Sequence, residues 1–514
     1  MTLFMTSPYV YAMIEIVTQN QKPVNESATH DKTNLQIPGK DGQAMKITVS
    51  ADQKNTKNIL TLLEEMGYSL PCNCNGKRHC NGKQYSFDCS LVPTSPVTIV
   101  LPDFQDTLSG ISLEDMTPEA GPADTVLIDI GTTTIALVLT ESRSGKLRQT
   151  CVFENPQRSY GADVISRIRS ACQGNQKELQ ASIIHAITEN IHLLCRRNNQ
   201  EVKAISRCLI GGNTTMIHLL MGFNCAPLAG SPFLIEQTSP EPFFHDGCEV
   251  TIFPWLSAFI GGDITAGLYA CHMTDTKKTL TDTSLFIDLG TNGEMVLLHQ
   301  GNLYTAATAA GPAFEGGGLS CGCPGIPGAI CGVRLKRLRP ALSTIGNKLP
   351  IGICGSGAIE LCAELLRHDY VSDEGVLTER FPSNGIFLAS SPQGVPLHFT
   401  PEDFRNVQLA VSAIASGIDT LAYTAGICAE EIPVTYLGGG FGFYLSLEDC
   451  YTLGMFSSLP KVGIHPMGNT CLRGLWEYSL KPDALIPNLP VKNVSLADSP
   501  YFKQQFIHHM TYSD

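Results

Sequence analysis

Two short stretches combine the residue types needed to grip a phosphate chain. The first is Asp129-Ile130-Gly131-Thr132-Thr133-Thr134, and the second is Asp288-Leu289-Gly290-Thr291-Asn292-Gly293-Glu294. In each, an acid precedes a turn of glycine and hydroxyl residues. Glycine lets backbone approach an anion closely, and successive turn amides form a concave anion-binding nest. The carboxylate is placed to hold a divalent cation, usually through water. A single such turn also serves as an ordinary hairpin connection. Two of them, 159 residues apart, suggest a duplicated fold clasping one nucleotide phosphate chain from both sides.

The flanking residues position these turns. Val126-Leu127-Ile128 and Leu285-Phe286-Ile287 lead in, and Ile135 to Leu139 and Met295 to Leu298 lead out. That is strand, tight turn, strand. A third piece, Val434-Thr435-Tyr436-Leu437, runs into Gly438-Gly439-Gly440-Phe441-Gly442. A strand ending in glycines can lie flat against a purine or ribose. In this order the three pieces resemble the phosphate-1, phosphate-2 and adenosine motifs of the actin, sugar-kinase and heat-shock-chaperone superfamily. Ile260-Gly261-Gly262-Asp263-Ile264-Thr265-Ala266-Gly267 resembles its connecting-helix motif.

The 514 residues are 43% hydrophobic and 16% charged, which suits a globular chain of about three or four domains. A net charge of −13 argues against wrapping a nucleic acid. No apolar run of about 18 residues implies a membrane span. Met1 to Ile16 lacks the basic start and cleavage site of a secretory signal. Most of the 19 cysteines are scattered through core-like sequence, which reads as a reduced, cytoplasmic protein.

Residues 17–43 are polar, with few large apolar groups, and 1–43 reads as a flexible extension. Met45 to Val49 alternates as a strand, Thr56 to Met66 has helical spacing, and Val97 to Leu101 reads as a second strand. Residues 44–103 therefore suit a small β-grasp unit. Residues 104–122, with Pro118, Gly121 and Pro122, read as a linker. From 123 onwards strands alternate with helices, as in an α/β protein of two related lobes. The expected bounds are about 123–280 for lobe I, 281–480 for lobe II and 481–514 for a C-terminal extension. Helical patterns run from Leu179 to Cys195, Asp263 to Met273 and Tyr501 to Met510, the last with Pro500 as its start.

Four thiols, Cys72, Cys74, Cys80 and Cys89, fall within 18 residues among Asn, Gly and basic residues. Clustered thiolates bind iron or zinc. Lys77 and Arg78 favour the thiolate form. Cys74 and Cys80 nearly fit the first half of a plant-type ferredoxin loop, but Lys83 stands where a third cysteine is expected. Cys72 could replace that ligand. The readings are an iron–sulfur cluster, with 2Fe–2S favoured over 4Fe–4S, a zinc knuckle, or a degenerate loop. A second set, Cys321, Cys323 and Cys331, reads either as ligands or as part of a Gly-rich loop that closes a lobe.

A ferredoxin-like unit ahead of an actin-like ATPase resembles the reductive activators of corrinoid proteins, iron–sulfur ATPases that return Co(II) corrinoid to Co(I). Further matching stretches are Asn155-Pro156-Gln157-Arg158-Ser159-Tyr160-Gly161-Ala162-Asp163-Val164-Ile165-Ser166-Arg167, Gly212-Asn213-Thr214-Thr215-Met216, Ala309-Ala310-Gly311-Pro312-Ala313-Phe314-Glu315-Gly316, Gly352-Ile353-Cys354-Gly355-Ser356-Gly357 and the tail Leu496-Ala497-Asp498-Ser499-Pro500-Tyr501-Phe502. Two departures stand out. One is Lys83. The other is that only about 20 residues stand where the family is expected to carry a longer linker and middle domain before the first phosphate turn.

The resemblance implies ATP and Mg²⁺ as cofactors, a corrinoid protein and a low-potential electron donor as partners, and no nucleic acid or membrane. It allows a homodimer. It places Asp129 and Asp288 at Mg²⁺. Gly131, Thr132, Thr133, Gly290, Thr291 and Asn292 would lie at the phosphates, with Gly438, Gly439 and Gly440 at the adenosine. Asp263 would orient the attacking water, or else serve as a helix cap. Cys72, Cys74, Cys80 and Cys89 would hold the cluster. Rival functions are electron donation to another enzyme, such as a hydroxyacyl-thioester dehydratase, and a small-molecule kinase of the same superfamily.

Overall fold

A computed structural model describes residues 46–49, 97–100 and 121–512, apart from 231–232, 234, 236–241, 246, 275–281, 291, 337–338 and 483–488. The expected extension at 1–43, the helix at 56–66, most of the linker, the four loop cysteines and Thr291 lie outside these residues. Strand β1 (Lys46–Val49) pairs antiparallel with β2 (Val97–Val100), with Lys46 opposite Val100.

Lobe I contains β3 (Thr125–Ile130), β4 (Thr134–Thr140), β5 (Leu147–Glu154), β6 (Arg207–Gly212), β7 (Phe243–His245) and β8 (Cys248–Ile252). Its helices are α1 (Val164–Ser170), α2 (Gln176–Arg197) and α3 (Thr214–Met221), and α4 (Gly262–Ala270) follows. The spatial order of the sheet is β5-β4-β3-β6-β8-β7. The β3/β4 and β4/β5 pairs are antiparallel, whereas β3/β6 and β6/β8 are parallel.

Lobe II opens with β9 (Thr283–Leu289), β10 (Gly293–His299) and β11 (Asn302–Thr308). An insertion follows, with β12 (Ala329–Lys336), β13 (Arg339–Thr344), β14 (Gly352–Ile353) and α5 (Gly355–Arg367), then the hairpin β15 (Ile386–Ser390) and β16 (Pro396–Phe399). Next come α6 (Pro401–Ala425), β17 (Thr435–Gly438), α7 (Gly439–Phe443), α8 (Leu447–Thr452), β18 (Ile464–Gly468), α9 (Thr470–Leu480), β19 (Val491–Asn493) and α10 (Pro500–His508). The sheet order is β18-β17-β9-β10-β11-β19. The β9/β10 and β10/β11 pairs are antiparallel, and β9/β17 and β17/β18 are parallel. Read from β5 to β8 and from β11 to β18, the two sheets have the same topology. The duplication suggested by the two phosphate turns is a repeat of fold.

Local sequence explains the long helices. Thr400 caps α6 in a reciprocal box with Asp403, Pro401 sits in its first turn, and Gly426 ends it at φ 81°. Asn213 caps α3 and Gly222 ends it at φ 69°. In the segment expected as a C-terminal extension, β19 joins the lobe II sheet beside β11, and Ser499 caps α10. Among the described residues, no helix is long and apolar enough to cross a membrane.

Strand alternation divides each sheet into two faces. Val126, Ile128 and Ile130 pack with Ile183 and Ile187 of α2, while Leu127 packs with Cys471, Leu472 and Leu475 of α9. In lobe II, Leu285, Ile287 and Leu289 pack with Val411 and Ile414 of α6, while Phe286 packs with Ile264 and Leu268 of α4. Full burial of a side chain such as Leu127 or Phe286 contributes roughly 1.5–3 kcal/mol. Thus each lobe sends one helix across to the other lobe's sheet. The two helices cross tightly. A Cβ on Gly474 of α9 would fall on the Ala266 carbonyl of α4, and one on Gly267 would meet Phe286.

Candidate functional site

The period of two that buries Leu127 and Phe286 sends Asp129 and Asp288 toward the same crossing helices. Their settings are related by the fold repeat. Asp129 lies beside Gly211 of β6, and Asp288 lies beside Gly438 of β17, in matching parallel pairs. On the antiparallel side Asp129 faces Ala136, whereas Asp288 faces Glu294. The second half of the site therefore carries one more carboxyl. Asp263 enters from the first turn of α4.

These acids sense one another. Burial, then the charges of Asp288 and Asp129, push Asp263 up to about 8. Burial, then Asp129 and Glu315, push Asp288 up to about 7. Burial, then Asp263 and Asp288, raise Glu294 well above the ordinary range. Burial also raises Asp129, although hydrogen bonds from Asn469 and Cys471 oppose it. Among the described residues, no cationic side chain is among the influences on any of these four groups. Among the described residues, none of these acids has an ion-pair partner.

The first phosphate turn is fastened from behind. Asn155 donates its side-chain amide to the Gly131 carbonyl at 2.8 Å, and its backbone N–H goes to the Thr133 carbonyl at 2.9 Å. The fully buried guanidinium of Arg167 donates to the Thr132 carbonyl at 2.6 Å and to the Gly161 carbonyl at 2.9 Å. All three turn carbonyls are thus engaged by the protein. A Cβ at Gly131 would stand 2.8 Å from the Thr134 carbonyl. The Thr133 hydroxyl donates to Glu315 across the cleft at 3.3 Å.

In the second turn the Gly290 N–H donates to the Asn292 carbonyl at 3.0 Å. The Asn292 side chain is hydrogen-bonded to Glu294. Gly438 and Gly439 bring α7 close against this turn. A Cβ on Gly438 would lie 2.9 Å from Asp288 Oδ2, and one on Gly439, at φ 82°, would lie 2.9 Å from the Leu289 carbonyl. Gly440 follows in α7, where Phe441 stacks on Phe314 with ring centres 4.9 Å apart.

Two sequence readings can be narrowed. Asp263 is not the N-cap of α4: Gly261 holds that position, and Asp263 Oδ1 accepts from Ile264 N at 2.8 Å. Cys321, Cys323 and Cys331 do not form a ligand set. Cys331 Sγ donates to the Ser343 carbonyl at 3.6 Å, and the thiols near Cys323 are Cys354 and Cys321. Among the described residues no three His, Cys, Asp or Glu side chains are grouped to share a metal ion. All fifteen described cysteines are free thiols.

Sequence reasoning missed Asn155, Arg167, Glu294, Glu315 and Asn469 as working parts. Asn155, Arg167, Glu294 and Glu315 lay inside quoted motifs. Asn469 had a signal of its own: Gly468-Asn469-Thr470 repeats Gly212-Asn213-Thr214, and each asparagine caps the helix after a strand.

The architecture is that of a two-lobed actin-like fold with an acidic, glycine-lined cleft between the lobes. A family profile described as the RACo middle region matches residues 125–276, and one described as the C-terminal domain of RACo, the ASKHA domain, matches 282–514. The chain is 30% identical over 444 residues to the corrinoid activation enzyme RamQ of Eubacterium limosum, covering 79% of this chain and 74% of that protein. It is 29% identical over 300 residues to a Co(II) methylated amine-specific corrinoid protein reductase of Methanosarcina barkeri, covering 52% of each. A solved reductive activator for a corrinoid, iron-sulfur protein superposes with a TM-score of 0.66 at 25% identity, over 95% of this chain and 81% of that one. The chain belongs to the family of reductive activators of corrinoid proteins. The match at 125–276 corrects one expectation. The middle region does not precede the first phosphate turn; it contains that turn, which opens lobe I.

Proposed function

We propose that this chain is a cytoplasmic ATP-dependent reductive activator that passes one electron to a corrinoid protein and converts Co(II) to Co(I). The observation that carries this reading is the convergence of Asp129 and Asp288, from separate lobes, on one pair of crossing helices, in a chain of this family. The readings as a dehydratase electron donor or a small-molecule kinase gain no comparable support.

The donor set suits Mg²⁺. It is made of hard carboxyl oxygens and, among the described residues, it is not grouped tightly enough for a direct three-residue cage. Mg²⁺ characteristically keeps several waters and is held by one or two carboxylates plus substrate phosphates. Asp129 and Asp288 would hold it from the two sides. The chemistry it supplies when bound is neutralisation of charge at the phosphates. Gly131, Thr132, Thr133, Gly290 and Thr291 would present turn amides and hydroxyls to the phosphates. Gly438, Gly439 and Gly440 would flank the adenosine. Asn292 would act chiefly by supporting Glu294.

Asp263 is proposed to take or orient a proton of the attacking water. A carboxyl held near neutral pH suits that exchange. Cys72, Cys74, Cys80 and Cys89 are proposed to hold an iron–sulfur cluster of 2Fe–2S type, which would supply the electron. A low-potential donor would reload it. Nucleotide binding can favour a docked state only through unequal affinity for the open and closed lobes.

The test mixes reduced, anoxically purified protein with Mg–ATP and a Co(II) corrinoid protein while the visible spectrum is followed. A Co(I) band that depends on ATP is expected. A protein without iron or sulfide, or no such band with any corrinoid protein, overturns the proposal.

A further inference from the structure

Asn469 stands at the end of β18, a lobe II strand, and opens α9, which packs on the lobe I sheet. Its two amide atoms do different work. Oδ1 accepts from Leu472 N at 2.8 Å and caps the helix. Nδ2 donates to Asp129 Oδ2 at 2.8 Å, across 340 residues. The cap settles the orientation of the amide: a backbone N–H needs an acceptor, so the NH₂ end must face the carboxylate. The residue is 7% exposed, so the bond is sheltered from competing water.

The fold repeat sharpens the point. At the matching junction of lobe I, between β8 and α4, the N-cap is Gly261, which has no side chain to reach Asp288. Hydrogen bonding is absent from the influences on Asp288, among the described residues, whereas Asp129 has both Asn469 and Cys471. The two acids are therefore held differently. Asp129 is oriented by the crossing helix of the opposite lobe, and Asp288 is not.

We propose that Asn469 is a positioning residue that holds the Asp129 carboxylate for Mg²⁺ and ties its angle to the rotation of α9 against α4. The idea rests on the nucleotide clamp proposed above. Because Asn469 joins β18 of lobe II to α9 on the lobe I sheet, a rotation between the lobes would act on its bond to Asp129. The carboxylate it holds would turn with it.

The cap function allows a clean test in the full chain. Asn469→Ser keeps a capping oxygen but is too short to reach Asp129, whereas Asn469→Ala loses both. ATP affinity is measured by calorimetry with Mg²⁺ and again in EDTA, alongside thermal melts. Both variants are expected to lose at least tenfold of the Mg²⁺-dependent gain in affinity, with affinity in EDTA unchanged. Only Asn469→Ala should melt earlier. Wild-type Mg–ATP affinity retained in Asn469→Ser, or an equal loss with and without Mg²⁺, overturns the inference. A wild-type protein that fails to bind Mg–ATP overturns the proposed function instead.

Discussion

The Thr133 hydroxyl and the Glu315 carboxylate meet at 3.3 Å, one on the first phosphate turn and the other on the opposite lobe. Glu315 is also among the charges that raise Asp288. It therefore adds negative charge where a polyanion must enter. Replacing Glu315 with Gln keeps the side-chain shape and removes that charge. Kd for ADP in EDTA should fall about threefold to tenfold, an effect that fades with added salt. Unchanged or weaker binding in low salt would contradict this role for the carboxylate.

Asp288→Asn separates function from stability. The aspartate is held up at about 7 by burial and by Asp129 and Glu315, so its charge is costly where it sits. The asparagine should lower the ATP-dependent rate of Co(I) formation by roughly a hundredfold, because a group facing the transferring phosphate is lost. The same variant should melt several degrees higher in EDTA at pH 8. Equal activity with a lower melting temperature would contradict both halves of the argument.

The buried acids also set a pH dependence. Asp263 and Asp288, at about 8 and about 7, stand above the ordinary 3.8. Between about 4 and 8 the folded state thus binds more protons than the unfolded chain. Stability must then fall as pH rises through that window. Melts in EDTA should show a lower transition at pH 8.5 than at pH 6, and Asp263→Asn should flatten the slope. Because the groups interact, the slope belongs to the cluster rather than to either residue. A rise in melting temperature over the same interval would contradict the electrostatic picture.

Arg167 is the support of the first turn. Its guanidinium reaches both Thr132 and Gly161 carbonyls from a fully buried position. Lysine at 167 cannot make that fork. Arg167→Lys should cost about 2–3 kcal/mol of stability, measured by denaturant unfolding, and weaken ATP binding at least tenfold. A variant with normal affinity would show that the turn holds its shape unaided.

Much of this was legible in the sequence because it is local. An apolar run, an acid, a glycine and a threonine are enough to place Asp129 and Asp288 at strand ends, and strand alternation sends both to one kind of face. Glu294 could have been found the same way, since hairpin register sets it opposite Asp288. Asn469 could not be placed by spacing alone. Its partner lies 340 residues away, and only the exchange of α4 and α9 between lobes brings them together. Arg167 was hidden for a related reason: a charged residue in a helix reads as solvated until packing shows it buried against a turn. For Cys321, Cys323 and Cys331 a ligand reading stayed open beside the loop reading because sequence shows spacing and not direction.

The central claim is that Asp129 and Asp288 act on one nucleotide from two lobes, and a double-mutant cycle on Mg–ATP affinity tests it most directly. Asp129→Asn, Asp288→Asn and the double variant are compared with the wild type by calorimetry. If both acids serve one bound Mg–ATP, the double variant should lose little more than either single one, a coupling of at least about 1 kcal/mol. Losses that simply add would mean two independent sites, and the clamp would be wrong.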